Sequence, residues 1–175
     1  LGSYTLTAGV TLYSNIRLIG EDINGTTITT KGNHQAFIVQ SESVLENFMF
    51  VSTRGYSNRL IDVQSSGTVR NCKIVWDAND WSRTQNDVAA ISLRQVKNAK
   101  VEDIEILKYA NRAPDGAGTN LVAVSVWGSS NCSVLDVRQP ERPSQVYDTD
   151  DKVITIDGGS SNLVKDCRLK MAGVA

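Results

Sequence analysis

Val101-Glu-Asp-Ile-Glu-Ile106 is one copy of the short pattern that decides the fold. The pattern is an apolar residue, any residue, Asn or Asp, a second apolar residue, any residue, and usually a third apolar residue. It recurs as Leu45-Glu-Asn-Phe-Met-Phe50, Val69-Arg-Asn-Cys-Lys-Ile74, Val134-Leu-Asp-Val-Arg138 and Val164-Lys-Asp-Cys-Arg-Leu169. Leu18-Ile-Gly20 takes the same place with Gly for Asn. Measured on positions 20, 47, 71, 103, 136 and 166, the spacings are 27, 24, 32, 33 and 30 residues. Several copies follow Asn or a Ser-Asn pair: Ser14-Asn15, Asn98, Ser130-Asn131 and Ser161-Asn162.

Between these copies a second strand pattern returns. It reads Ala36-Phe-Ile-Val39, Leu60-Ile-Asp-Val63, Ala89-Ala-Ile-Ser-Leu93, Val122-Ala-Val-Ser-Val126 and Val153-Ile-Thr-Ile156. Alternation with period two marks half-buried strands, and no long stretch keeps a helical apolar period. A supersecondary unit repeated at this spacing cannot bury its apolar face alone, so successive units stack and their equivalent strands pair in parallel. The recurrent Asn and Asp positions (Asn47, Asn71, and the set Asn98, Asn131, Asn162) read as structural. Asn tolerates left-handed backbone at turns and bonds neighbouring backbone, and stacked Asn form ladders.

Composition bounds the function. The 175 residues make one domain, and 41% hydrophobic with 21% charged residues exclude a disordered chain. Lys and Arg (18) nearly balance Asp and Glu (19), so no basic patch marks a nucleic-acid partner. No apolar run approaches the roughly 20 residues of a membrane helix, so no membrane partner is expected. Cys72, Cys132 and Cys167 are odd in number and lack metal or redox spacing.

Strands of this kind, with the opening Gly2-Ser-Tyr-Thr-Leu6 through Val10-Thr-Leu-Tyr-Ser-Asn-Ile-Arg-Leu-Ile-Gly-Glu21, resemble the right-handed parallel β-helix of the pectin-lyase-like superfamily. That superfamily includes pectate lyases, polygalacturonases and bacteriophage tailspikes. The expected fold is all-β: a single-stranded right-handed parallel β-helix of about six turns over residues 1–175, with negligible helix, as a segment of a longer chain. At ~4.8 Å per turn the rod is ~30 Å long, and Cys72 and Cys167 fall three turns apart, roughly 14 Å. A disulfide needs Cα atoms within about 7 Å, so no bridge is expected.

Three connections are long and follow the same strand: Trp76 to Asp87, Lys108 to Thr119 and Arg138 to Asp151. Equivalent positions stack, so these should lie along one edge. They carry Trp76, Trp81, Tyr109 and Tyr147 among Arg83, Arg112 and Arg142, the mixture of aromatic faces and planar donors that binds sugars. Carboxylates are supplied by Asp77, Asp80, Asp87, Asp115, Glu141, Asp148, Asp150 and Asp151. Asp87 and Asp151 each precede the second strand, two turns or roughly 10 Å apart, marginal for a glycosidase pair.

Asp148-Thr-Asp-Asp151 with the strand after it is similar to the Asn-Thr-Asp region of polygalacturonases, and the resemblance assigns Asp150 to that family's first catalytic-region Asp. The family's Asp-Asp pair falls where this chain has Met171-Ala-Gly-Val-Ala175. Its Gly-His-Gly is absent, the one histidine being His34. On the lyase alternative, Asp148, Asp150 and Asp151 with Arg142, or Asp77, Asp80 and Asp87 with Arg83, are a Ca²⁺ and base set, although no fixed-spacing calcium loop is present. No other cofactor or metal ligand set is assigned.

The leading functional expectation is a carbohydrate-facing tailspike-like protein, extracellular or on a virion surface and homotrimeric, that binds and depolymerises a host polysaccharide. A secreted polysaccharide lyase or glycoside hydrolase, and a structural or adhesin β-helix without ligand, are the alternatives.

Overall fold

A computed structural model describes residues 2–30, 35–52, 59–78, 88–111, 121–139 and 152–168. Every regular element among them is a β-strand, and every strand pairing is parallel. The first of two sheets runs in the order β1 (Gly2–Leu6), β4 (Thr26–Thr30), β7 (Met49–Ser52), β9 (Thr68–Ala78), β11 (Lys100–Asn111), β13 (Ser133–Arg138) and β15 (Leu163–Lys165). Beside the first half of β9 lie β6 (Val44–Glu46) and then β3 (Arg17–Ile19). The second sheet comprises β2 (Val10–Leu12), β5 (Phe37–Val39), β8 (Arg59–Val63), β10 (Val88–Arg94), β12 (Leu121–Trp127) and β14 (Lys152–Asp157), in that order. From β8 onward the chain alternates strictly between the sheets, each return landing one strand further along.

The sequence repeat is the hydrogen-bond register. Leu18, Leu45, Val69, Val101, Val134 and Val164 form one column of register partners. Cys72, Ile104 and Val137 form a second, and Phe50, Ile74 and Ile106 a third. In the second sheet Phe37, Ile61, Ile91, Val124 and Ile154 align. Period-two alternation sends these residues to one face, and all but the exposed Val164 join or pack against a single hydrophobic cluster drawn from both sheets. Phe37 of β5 meets Phe50 of β7 edge-on inside it, ring centroids 5.7 Å apart. A fully buried side chain of this size contributes about 1.5–3 kcal/mol, which is why a short strand suffices per repeat.

Corners are set by left-handed backbone. Asn47, Asn71, Asp103, Asp136 and Asp166 have φ of 64°, 47°, 51°, 51° and 58°. A second left-handed series sits five residues earlier, at Asn15, Glu42, Ser66, Asn98, Asn131 and Ser161. Asn and Asp tolerate this region better than other side-chain-bearing residues, which is the physical basis of the motif.

Two corners depart from the simple pattern of a left-handed Asn or Asp. Gly20 keeps the register position, since Ile19 pairs with Glu46, but it is not left-handed. The chain instead makes an excursion over residues 21–25, closed by Gly25 N and Thr26 N donating to Asp22 O, before β4 rejoins the sheet. Glycine is required there by close approach: a Cβ would sit 2.1 Å from Asn47 O.

At the last corner Ser161, not Asn162, takes the left-handed conformation. Asn162 points back along the stack, its Nδ2 donating to Ser129 O (2.8 Å) and its Oδ1 accepting from Cys132 N (3.0 Å). The three cysteines are free, as expected, with Cys72 and Cys132 buried and Cys167 half-buried.

Candidate functional site

The edge expected to bear the long connections can be located from its anchors. Described residues stop at Ala78, Asn111 and Gln139 and resume at Val88 and Leu121 and Lys152. The strands before these gaps, β9, β11 and β13, are consecutive in the first sheet, and those after them, β10, β12 and β14, are consecutive in the second. All three segments therefore leave and re-enter at neighbouring strands.

The strands themselves run further than the sequence suggested. β9 continues through Ala78 and β11 through Asn111, so Trp76, Asp77 and Tyr109 belong to strands, Trp76 in register with Tyr109 and Asp77 with Ala110. Register places Trp76 opposite Tyr109, with Ser52 on Trp76's other side. Parallel neighbours of this kind are about 4.8 Å apart. Leu107 is the extra residue of a bulge between Ile106 and Lys108, a device that re-aims the residues beyond it.

Trp81, Arg83, Asp87, Arg112, Arg142, Tyr147, Asp150 and Asp151 lie outside the described residues. Asp87 precedes β10 and Asp151 precedes β14, strands two places apart in the second sheet.

A second polar surface, unanticipated in the sequence, lies on the outer face of the second sheet. Ile61, Ile91 and Val124 are buried in the core, and alternation turns the neighbour that follows each to the other face, where Ser92 is still buried. Those neighbours form a register row: Asp62, Ser92, Ser125 and Thr155. Two residues on is a second row, Arg94, Trp127 and Asp157. The Arg94 guanidinium sits over the Trp127 ring, 4.5 Å from its centroid, while Trp127 stays 37% exposed. Arg59 Nη1 reaches Asp62 Oδ1 at 3.4 Å. Burial pushes the Asp62 carboxyl above its ordinary range, and the charges of Arg59 and Arg94 pull it back only in part. The signal was present in sequence as a hydroxyl repeated in Ile91-Ser-Leu93, Val124-Ser-Val126 and Ile154-Thr-Ile156. Reading those strands for buried alternation alone passes over it.

The outer face of the first sheet is occupied differently. Glu46 pairs with Arg70 at 2.9 Å and with Arg17 at 3.5 Å, and Lys73 pairs with Glu105 at 3.3 Å. Arg138 bonds Asp136 and lies 3.7 Å from Asp103. The Arg138 bond holds the Asp136 carboxyl below its usual range. Opposite charges on adjacent strands satisfy one another across the sheet, which suits packing and register more than ligand capture. Cys72 offers no nucleophile there either: burial pushes its thiol up to about 12.

The chain matches no protein-family model, and neither curated proteins nor solved structures include a significant match to it.

Proposed function

We propose that the chain is a right-handed parallel β-helix of the pectin-lyase-like kind that binds a host surface polysaccharide in the manner of a phage tailspike. Strict alternation between two parallel sheets supports the helix, and parallel strand–crossover–strand connections are right-handed almost without exception. The observation that carries the binding reading is the register pairing of Trp76 with Tyr109 at the ends of adjacent strands from which two long segments depart. Aromatic residues stacked one strand apart offer consecutive platforms to consecutive sugar rings. On this reading the protein works outside the cell or on a virion surface, as a homotrimer.

The test is binding of the protein to immobilised host-surface polysaccharide. Trp76→Ala and Tyr109→Ala should each weaken it roughly tenfold, the loss of one stacking contact. Unchanged affinity in both variants overturns the assignment. Depolymerisation belongs to the same proposal, with Asp87, Asp150 and Asp151 as its carboxylates. New reducing ends with no unsaturated product identify a hydrolase, and Ca²⁺-dependent unsaturated products identify a lyase.

A further inference from the structure

We propose a second saccharide site, centred on Trp127 and Asp157, that takes neutral sugars in preference to uronic acids. It rests on the reading of the protein as carbohydrate-facing and lies apart from the loop-bearing edge. Trp127 ends β12, whose first residue Leu121 adjoins that edge, so six residues at ~3.3 Å separate the two by roughly 20 Å.

Three features build the site. The first is the platform. Arg94, on the β10 side, covers Trp127 from one direction, Trp127 is 37% exposed, and β14 flanks it on the other side. The second is the acceptor. Asp157 is the register partner of Trp127 on that other side; it is exposed, and among the described residues its carboxylate forms no ion pair. Ser125 and Thr155, also register partners, stand two residues back on the same face and add hydroxyls that donate or accept.

The third feature is clearance. The chain beyond the platform reads Trp127-Gly-Ser-Ser130 and Asp157-Gly-Gly-Ser-Ser161, so the residues that follow the platform on both strands are small. These glycines are fixed by the backbone. Gly128, Gly158 and Gly159 have φ of 59°, 71° and 80°, and a Cβ on Gly159 would fall 1.7 Å from Ser129 O.

The chemistry follows from the charges. An indole face accepts the C–H face of a pyranose, and an ionised carboxylate beside it accepts two adjacent hydroxyls. A sugar carboxylate in the same place meets Asp157 as a like charge. Of the described cations on this sheet, Arg59 pairs with Asp62, and Arg94, over the indole, belongs to the strand on the side of Trp127 away from Asp157.

The experiment measures binding of the protein to neutral glucose and galactose oligomers and to oligogalacturonides of equal length, by calorimetry and tryptophan fluorescence. Neutral oligomers should bind more tightly, with Trp127→Ala and Asp157→Asn each weakening them roughly tenfold and Trp127→Phe less. Asp157→Asn should also narrow the gap between neutral and acidic oligomers. Circular dichroism of each variant separates lost binding from lost fold, and Trp127 is exposed enough for replacement to leave the core intact. Galacturonides binding as tightly as neutral oligomers overturns this site. So does neutral binding that withstands both Trp127→Ala and Asp157→Asn but is lost in Trp76→Ala, a result that leaves the broader carbohydrate reading standing. If no oligomer or host polysaccharide binds, both fail.

Discussion

Asn71 Nδ2 donates to Asn47 Oδ1 at 2.6 Å, and both residues sit in left-handed backbone at the same corner of adjacent repeats. One amide can donate to the next and accept from the previous, so a column of Asn satisfies itself. The next rungs are Asp103, Asp136 and Asp166, which accept only. There the column is exposed, and Arg138 and Lys165 supply the charge that the acids lack. Asn71→Ala removes the amide bond and also places a β-carbon in left-handed backbone; together these should cost about 2–3 kcal/mol. Asn71→Gly removes only the bond and should cost about 1 kcal/mol. Denaturant unfolding of the two variants separates the backbone part from the ladder part.

Ser43 and Asn162 do the same work in different repeats. Ser43 Oγ donates to Tyr13 O at 2.6 Å and accepts from Ile16 N at 3.2 Å, both in the preceding repeat. Asn162 does this for Ser129 O and Cys132 N. Ser43 is fully buried, so Ser43→Ala removes both bonds, leaves Tyr13 O only its longer bond from Ile16 N (3.3 Å), and should destabilise by about 1–3 kcal/mol. Asn162 is only half-buried, and Asn162→Ala should cost less because water reaches the vacated groups. Thermal midpoints of the two variants rank them.

Gly128 and Gly159 are both left-handed yet should respond differently to alanine. A Cβ on Gly128 meets only Gln95 Cγ at 3.4 Å, whereas on Gly159 it meets the Ser129 backbone. Gly128→Ala should therefore cost the conformational strain alone, about 1–2 kcal/mol. Gly159→Ala forces two repeats apart and should exceed about 3 kcal/mol. Equal losses by denaturant unfolding would count against the close approach.

Much of this architecture was legible in the sequence because one residue does two jobs at each corner. Asn47, Asn71, Asp103, Asp136 and Asp166 mark both the register and the left-handed bend, so counting them counts strands. Gly20 marks the register as expected, but without the bend, because its glycine is required by close approach and not by φ. Ser161 and Asn162 were confused because a stacking Asn can bond from its side chain without adopting the bend itself. The surface at Arg94, Trp127 and Asp157 was hidden for another reason. Their outward alternation carries no apolar signal, and only the parallel register shows that residues some 30 positions apart in the chain are neighbours.

The cysteines should react in the order of their burial. Cys72 is fully buried with its thiol pushed up to about 12, and burial also raises Cys132. Cys167 is half-buried. Alkylation of the native protein should label Cys167 first, and Cys72 only as fast as the fold opens. Mass spectrometry of timed, quenched samples reads the order, and early labelling of Cys72 would contradict its burial in the stack.

Asp62 makes stability depend on pH in the sense opposite to an ordinary ion-paired acid. Its side chain is 16% exposed, and burial raises the carboxyl above its ordinary value of 3.8 despite Arg59 and Arg94. A group that holds its proton more tightly folded than unfolded favours the fold as the neutral acid. That contribution is complete below the unfolded value and is lost as pH rises through the folded value. Asp62→Asn has no proton to lose at this position. The stability of the natural protein relative to the variant should therefore fall as pH rises from below 3.8 through the folded value of Asp62, then stay constant through neutrality. Parallel chemical denaturation of both proteins across that range measures the difference directly. A natural protein that instead gains stability over Asp62→Asn as pH rises would mean that pairing with Arg59 outweighs burial, and that Asp62 is an ordinary ionised partner.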